Sequence, residues 1–181
     1  AAVGQGSRHQ PCLLILHYKP ITRRKKKVKK VVLTGKGVTF DSGGYDLKGS
    51  GSYDNMHYDV AGAATVFAAM RLAEERNLPV EITGIIPIVE NSLGSGAVLP
   101  GTVLTAYGGK TVQIVNTDAE GRLLMAEAIA LADKKFRGDA LITVATLSDM
   151  KDLGPDFLNV WVTNKNLENK KSGRFIVVIF T

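Results

Sequence analysis

Four acidic residues stand at places where the chain changes direction: Asp41 in a glycine-rich stretch, Asp59 just before an apolar helical pattern, and Asp118 and Glu120 after a strand-like run. In extended backbone, side chains two apart point to the same side, so Asp118 and Glu120 are spaced to share one cation or bridge two. Four converging carboxylates repel one another and raise their own pKa values unless cations lie among them, a conflict that divalent metal resolves. Basic residues are interleaved with the acids, Lys36 and Lys48 on either side of Asp41 and Arg122 just after Glu120. The plainer readings are helix caps for the acids and exposed ion pairs of little energetic weight for the bases.

The elements that must position these residues follow from hydropathy patterning. Cys12 to Tyr18 is an apolar run with strand character, and Val31 to Leu33 reads as a buried strand entering a glycine-rich loop, Gly35 to Gly44. A second small-residue loop spans Gly49 to Ser52. Val60, Ala64, Phe67, Ala68 and Leu72 fall at helical spacing, which predicts a helix over Val60 to Arg76 that ends at Asn77-Leu78-Pro79. Val80 to Val89 is a central strand, with Pro87 near its end where a missing donor is tolerable, and a loop runs from Glu90 to Gly101. Gly108-Gly109 predicts a tight hairpin between Thr102 to Tyr107 and Thr111 to Val115. A helix capped by Thr117 or Asp118 should run to Phe136 with Leu123, Leu124, Ala128 and Leu131 on its apolar stripe, before a buried strand from Ala140 to Leu147. Ala1 to Gln10 is expected to fray, and Phe157 to Val162 reads as strand or helix. The sum is one α/β domain: a mixed, mainly parallel central sheet flanked by helices, the hairpin supplying the antiparallel part.

Composition narrows the function. With 45% hydrophobic and 22% charged residues, the 181-residue chain folds as a globular protein. Its net charge of +6 comes largely from Arg23, Arg24, Lys25, Lys26, Lys27, Lys29 and Lys30, a local run that reads as a solvated loop or as a phosphate-holding patch. One cysteine, Cys12, excludes an intrachain disulfide and fits a reducing, cytoplasmic setting. The apolar stretches stop short of membrane-spanning length, and the N-terminus lacks a signal-peptide layout, so no membrane partner is expected. The Gly-Lys-Gly turn at Gly35 lacks phosphate-loop spacing, and His9, His17 and His57 form no triad pattern.

The ordered set GKGVTFDSGG (Gly35 to Gly44), Lys48 in YDLK, Asp59 in YDVAGAA, and NTDAEGRL (Asn116 to Leu123) resembles the motifs of M17 leucyl aminopeptidases, over about Leu13 to Asn164. The resemblance divides the chain into an N-terminal strand and basic loop (1–30), an incomplete metallopeptidase catalytic domain (31–164) and a divergent C-terminal tail (165–181). It implies a cytoplasmic two-metal aminopeptidase that removes the N-terminal residue of peptides by means of a metal-bridging water. The implied metal ligands are Lys36, Asp41, Asp59, Asp118 and Glu120, with Asp41 and Glu120 bridging two divalent ions: zinc, manganese or magnesium. The implied catalytic pair is Lys48, which polarises the scissile carbonyl, and Arg122, which holds a bicarbonate acting as general base. Met56 and Thr146 match positions of the pocket for the substrate's first side chain, and Asp149 stands where the family usually has glycine. The family is hexameric, and it normally carries a separate N-terminal domain and a longer C-terminal portion. The sequence therefore also admits a truncated, non-catalytic relic whose basic run 23–30 binds nucleic acid.

Overall fold

The protein is described by a computed structural model covering residues 2–21 and 27–147, with the backbone of two further strands at 159–162 and 175–180. In chain order the strands are β1 (Cys12–Tyr18), β2 (Lys29–Gly35), β3 (Gly37–Asp41), β4 (Val80–Asn91), β5 (Val103–Thr105), β6 (Thr111–Gln113), β7 (Ala140–Ala145), β8 (Asn159–Val162) and β9 (Phe175–Phe180). Among the described residues, two α-helices, α1 (Ala61–Glu75) and α2 (Glu120–Leu131), lie between them.

The main sheet has strand order β1-β4-β2-β7-β9-β8, with β3 continuing alongside β4 beyond the end of β2. Strands β4, β2, β7 and β9 run parallel, whereas β1 and β8 pair antiparallel with β4 and β9. The sheet is thus mixed and mainly parallel, for a different reason than the sequence suggested. The Gly108-Gly109 hairpin forms its own two-stranded sheet, and β1 and β8 supply the antiparallel pairs.

A parallel sheet covered on both faces needs near-continuous apolar strands, and β4 (VEITGIIPIVEN) is one. On one face Leu33, Ile82, Ile86 and Val144 pack against Ala63, Val66, Met70 and Ala73 of α1. On the other, Val32, Ile85, Leu141 and Ala145 pack against Met125 and Ala128 of α2 and Ala132 beyond it. The helix read from the spacing of Val60, Ala64, Phe67, Ala68 and Leu72 forms, but Phe67 and Leu72 are exposed, and Gly62, Ala63, Val66, Met70 and Ala73 face the sheet. AGAATVFAAM is apolar nearly all round, so spacing alone could not select a face, and the small residues win because the backbones approach closely.

Other boundaries shift for local reasons. Pro87 is inside β4, where that strand changes partner from β2 (Thr34 beside Ile85) to β3 (Gly37 beside Ile88). Residues 2–6 form a short 3-10 turn with Gly4 buried and Val3 against the core, rather than fraying. The helix expected to reach Phe136 ends at Leu131 and continues as a π turn, Ala132–Phe136, closed by Arg137 in left-handed conformation. Phe175 to Phe180, assigned by sequence to a divergent tail, lies parallel to β7. Among the described residues no helix is long and apolar enough to cross a membrane.

Candidate metal centre

The candidate site gathers at the carboxyl ends of β2, β3, β4 and β7, where ligands bind in open α/β sheets. Lys36 follows the last residue of β2; its N–H donates to Val144 O (3.0 Å), and its carbonyl accepts from Ala63 N (2.8 Å). This three-way junction requires glycine: a Cβ on Gly62 would stand 2.4 Å from Val144 O, and one on Gly35 would stand 2.6 Å from Gly62 O. So fixed, the Lys36 side chain is 4% exposed, and its Nζ donates to Asp59 Oδ1 (2.6 Å) and Thr146 O (2.8 Å) and lies 3.0 Å from Glu120 Oε1. Asp59 itself is buried in the 3-10 turn Met56–Val60 that leads into α1.

Asp41 is the last residue of β3, not part of an irregular glycine loop. Its Oδ1 accepts from Asn91 Nδ2 (2.7 Å) and Gly43 N (3.0 Å), and its Oδ2 lies 2.9 Å from Lys48 Nζ. The same ammonium lies 2.5 Å from Asp118 Oδ1. Asp118 and Glu120 are not in extended chain: Thr117–Ala119 is a 3-10 turn and Glu120 opens α2. Neither Thr117 nor Asp118 caps α2, whose N-cap is Ala119 with no side-chain bond; Asn116 caps the preceding turn, its side chain accepting from Asp118 N (2.7 Å). The turn nevertheless leaves oxygens of Asp41, Asp118 and Glu120 within 4.8 Å of one another.

Each ammonium therefore serves a pair of carboxylates, the buried Lys36 with Asp59 and Glu120, the half-buried Lys48 with Asp41 and Asp118. These are not the weak surface pairs of the plainer reading. Burial pushes Glu120 up to about 7; Lys36 opposes the shift, while the charges of Asp41 and Asp59 add to it. Burial likewise raises Asp59 and Asp118, with Asp41 adding to both. Burial alone would lower Lys48, but Asp118 and Asp41 more than reverse this and hold its pKa above the ordinary lysine value.

Two lysines do not satisfy the site. Asp59 Oδ2 and Glu120 Oε2 are buried with no hydrogen-bond partner, a state that is costly for a carboxylate oxygen. Open carboxylate lone pairs beside a buried amine, with no thiol, suit zinc, manganese or magnesium. The residues present fit divalent cations.

Arg122 is exposed on the first turn of α2, with no ion pair or hydrogen bond among the described residues. Met56 is half-buried three residues before Asp59, and Thr146 Oγ1 donates to Asp59 Oδ1 (2.6 Å). The ring of His57 packs on Phe40, their centroids 4.9 Å apart. Asp149 and Arg23 to Lys26 lie outside the described residues; Lys29 and Lys30 reach Asp139 and Glu81 at 3.8 Å. Sequence reasoning missed Asn91, which donates to Asp41 Oδ1 and Thr117 O, while its own carbonyl accepts from Ser42 N and Oγ. A single asparagine ending a strand carries no local signal; only its burial among the acids marks it.

The fold and this cluster together define an α/β protein with a candidate divalent-metal centre at the strand ends. The sequence profile of the cytosol aminopeptidase family, catalytic domain, matches residues 1–173. The chain is 44% identical over 147 residues to a probable cytosol aminopeptidase of Cenarchaeum symbiosum, which covers 81% of this chain and 30% of that protein. Among solved structures it resembles leucyl aminopeptidase from Trypanosoma brucei in complex with bestatin (TM-score 0.84, 32% identity, 92% of this chain and 32% of that one). It also resembles the bottromycin maturation enzyme BotP in complex with Mn (TM-score 0.84, 36% identity, 92% and 36%). The chain belongs to the cytosol aminopeptidase family, M17, and spans about 30% of the length of the curated relatives it matches.

Proposed function

We propose that this chain carries the metal centre of an aminopeptidase, in which Lys36, Asp41, Asp59, Asp118 and Glu120 hold two divalent ions and the N-terminal residue of a peptide is hydrolysed. The observation that carries the reading is the convergence of these five side chains, with Asp59 Oδ2 and Glu120 Oε2 buried and left without a hydrogen-bond partner. Family membership and a relative solved in complex with Mn support it.

Bound divalent ions supply Lewis acidity, a lowered water pKa and a seat for the substrate's free amine. Lys36 can serve as a ligand only as the neutral amine, so binding takes a proton from its Nζ. Lys48, kept protonated beside Asp41 and Asp118, donates from Nζ to the scissile carbonyl oxygen and stabilises the charge that develops there. The exposed guanidinium of Arg122 is free to hold a bicarbonate as general base. Met56 and Thr146 border the seat of the first side chain. A cytoplasmic setting and hexameric assembly belong to the same proposal.

The test is hydrolysis of leucyl-p-nitroanilide by the full chain with manganese or zinc, beside Asp118→Ala and Glu120→Ala. Metal-dependent release of nitroaniline, lost in both variants, is the expected result. Failure of the unmodified chain at every metal loading, or activity that survives both substitutions, overturns the proposal.

A further inference from the structure

The loop carrying Lys48 leaves the sheet at Asp41 and is exposed from Tyr45 to Leu47. At its root, only Lys48 N to Ser42 O (3.0 Å) closes the loop on itself through the backbone. A second fastening comes from 71 residues away in sequence. Thr117 N donates to Asp46 Oδ2 (2.6 Å), and Asp46 N donates to Thr117 Oγ1 (2.8 Å). The same hydroxyl donates to Gly43 O (2.6 Å) and lies 3.0 Å from Asp46 Oδ2. Thr117 is 7% exposed, so these bonds are shielded from competing water on one side.

The loop is shaped to receive that hydroxyl. Gly43 and Gly44 adopt φ of +88° and +67°, and a Cβ on Gly44 would stand 3.0 Å from Thr117 Oγ1. A Cβ on Gly43 would stand 2.4 Å from Asp46 O and 3.0 Å from Asp118 Oδ1. The contact therefore joins the segment bearing Lys48 to the turn bearing Asp118 and Glu120, the very groups whose relative position matters for a lysine acting on a substrate held at the acids.

We infer that Asp46 and Thr117 are positioning residues: their reciprocal hydrogen bonds hold the Lys48 loop in register with the Asp118–Glu120 turn, so that Lys48 Nζ is presented to the substrate carbonyl. The inference rests on the proposed aminopeptidase reading for its consequence in catalysis, though not for the fastening itself. Neither residue touches the reacting atoms; both act through Lys48.

Two measurements separate the parts. Hydrogen exchange on the full chain reads the fastening without activity: Asp46→Ala and Thr117→Val should each speed exchange of the Lys48 amide by about tenfold, with Thr117→Ser close to the unmodified chain. Exchange unchanged in both variants overturns the inference, whatever the activity. Steady-state kinetics then reads the consequence. The same two variants should lose about ten- to a hundredfold in kcat with little change in KM or in manganese affinity by calorimetry, Thr117→Ser should restore kcat, and the double variant should lose no more than either alone. Loss confined to manganese affinity, or a fall in kcat that serine fails to rescue, contradicts a role through Lys48. An unmodified chain that hydrolyses nothing counts against the aminopeptidase reading, and the exchange result still decides the fastening.

Discussion

Gly121 lies against Lys36: a Cβ on Gly121 would stand 2.6 Å from Lys36 Cε and 2.8 Å from Nζ. The glycine in the first turn of α2 is thus the space in which the buried lysine crosses to Glu120. At an ordinary helix position, replacing glycine with alanine gains up to about 1 kcal/mol. Here Gly121→Ala should instead cost about 1–2 kcal/mol, because Lys36 is held by Asp59 and Thr146 and Leu147 closes the other side at 2.9 Å. Thermal unfolding should therefore show a lower Tm, and a raised Tm would contradict this packing.

The raised Glu120 makes the metal-free protein pH-sensitive. Lys36, Asp59 and Asp41 are the charged groups facing it. With a folded pKa of about 7 against 4.5 for the ordinary group, Glu120 binds more protons folded than unfolded between those values, so stability falls as pH rises through that window. The raised Asp59 and Asp118 act in the same direction. Denaturant melts of metal-free protein should lose on the order of 2–3 kcal/mol between pH 5 and pH 7.5, and Glu120→Gln should flatten the slope. Stability that rises over this range would count against the burial described for Glu120.

Asn91 fixes Asp41 from the end of β4. Asn91→Asp sets a second carboxylate against Asp41 where a donor is needed, and should cost about 2–4 kcal/mol, whereas Asn91→Ala should cost about 1–3 kcal/mol. Paired melts check the order; aspartate as the milder change would mean that Asn91 does not donate to Asp41.

The sequence made the strand and helix order legible because buried parallel strands such as β4 are long apolar runs, and because turn residues punctuate them. The five proposed ligands were legible only as a set, through the ordered motifs. Their local geometry was not. NTDAEG allows extended chain as well as a capped turn, and Asn116 decides the matter by accepting from Asp118 N. Which face of α1 meets the sheet was not legible, because the selecting force is close backbone approach at Gly62, invisible to hydropathy. Contacts such as Asp46 with Thr117 and Asn91 with Asp41 join residues far apart in sequence, and a single chain carries no signal of them.

Lys36, Asp41, Asp59, Asp118 and Glu120 are proposed to form one seat for two divalent ions. Calorimetric titration of metal-free protein with manganese measures this most directly, beside Asp118→Ala and Glu120→Ala. Two ions should bind per chain, with fewer ions or a marked loss of affinity in each variant. Absence of saturable binding, or unchanged binding when Glu120 is removed, would contradict it.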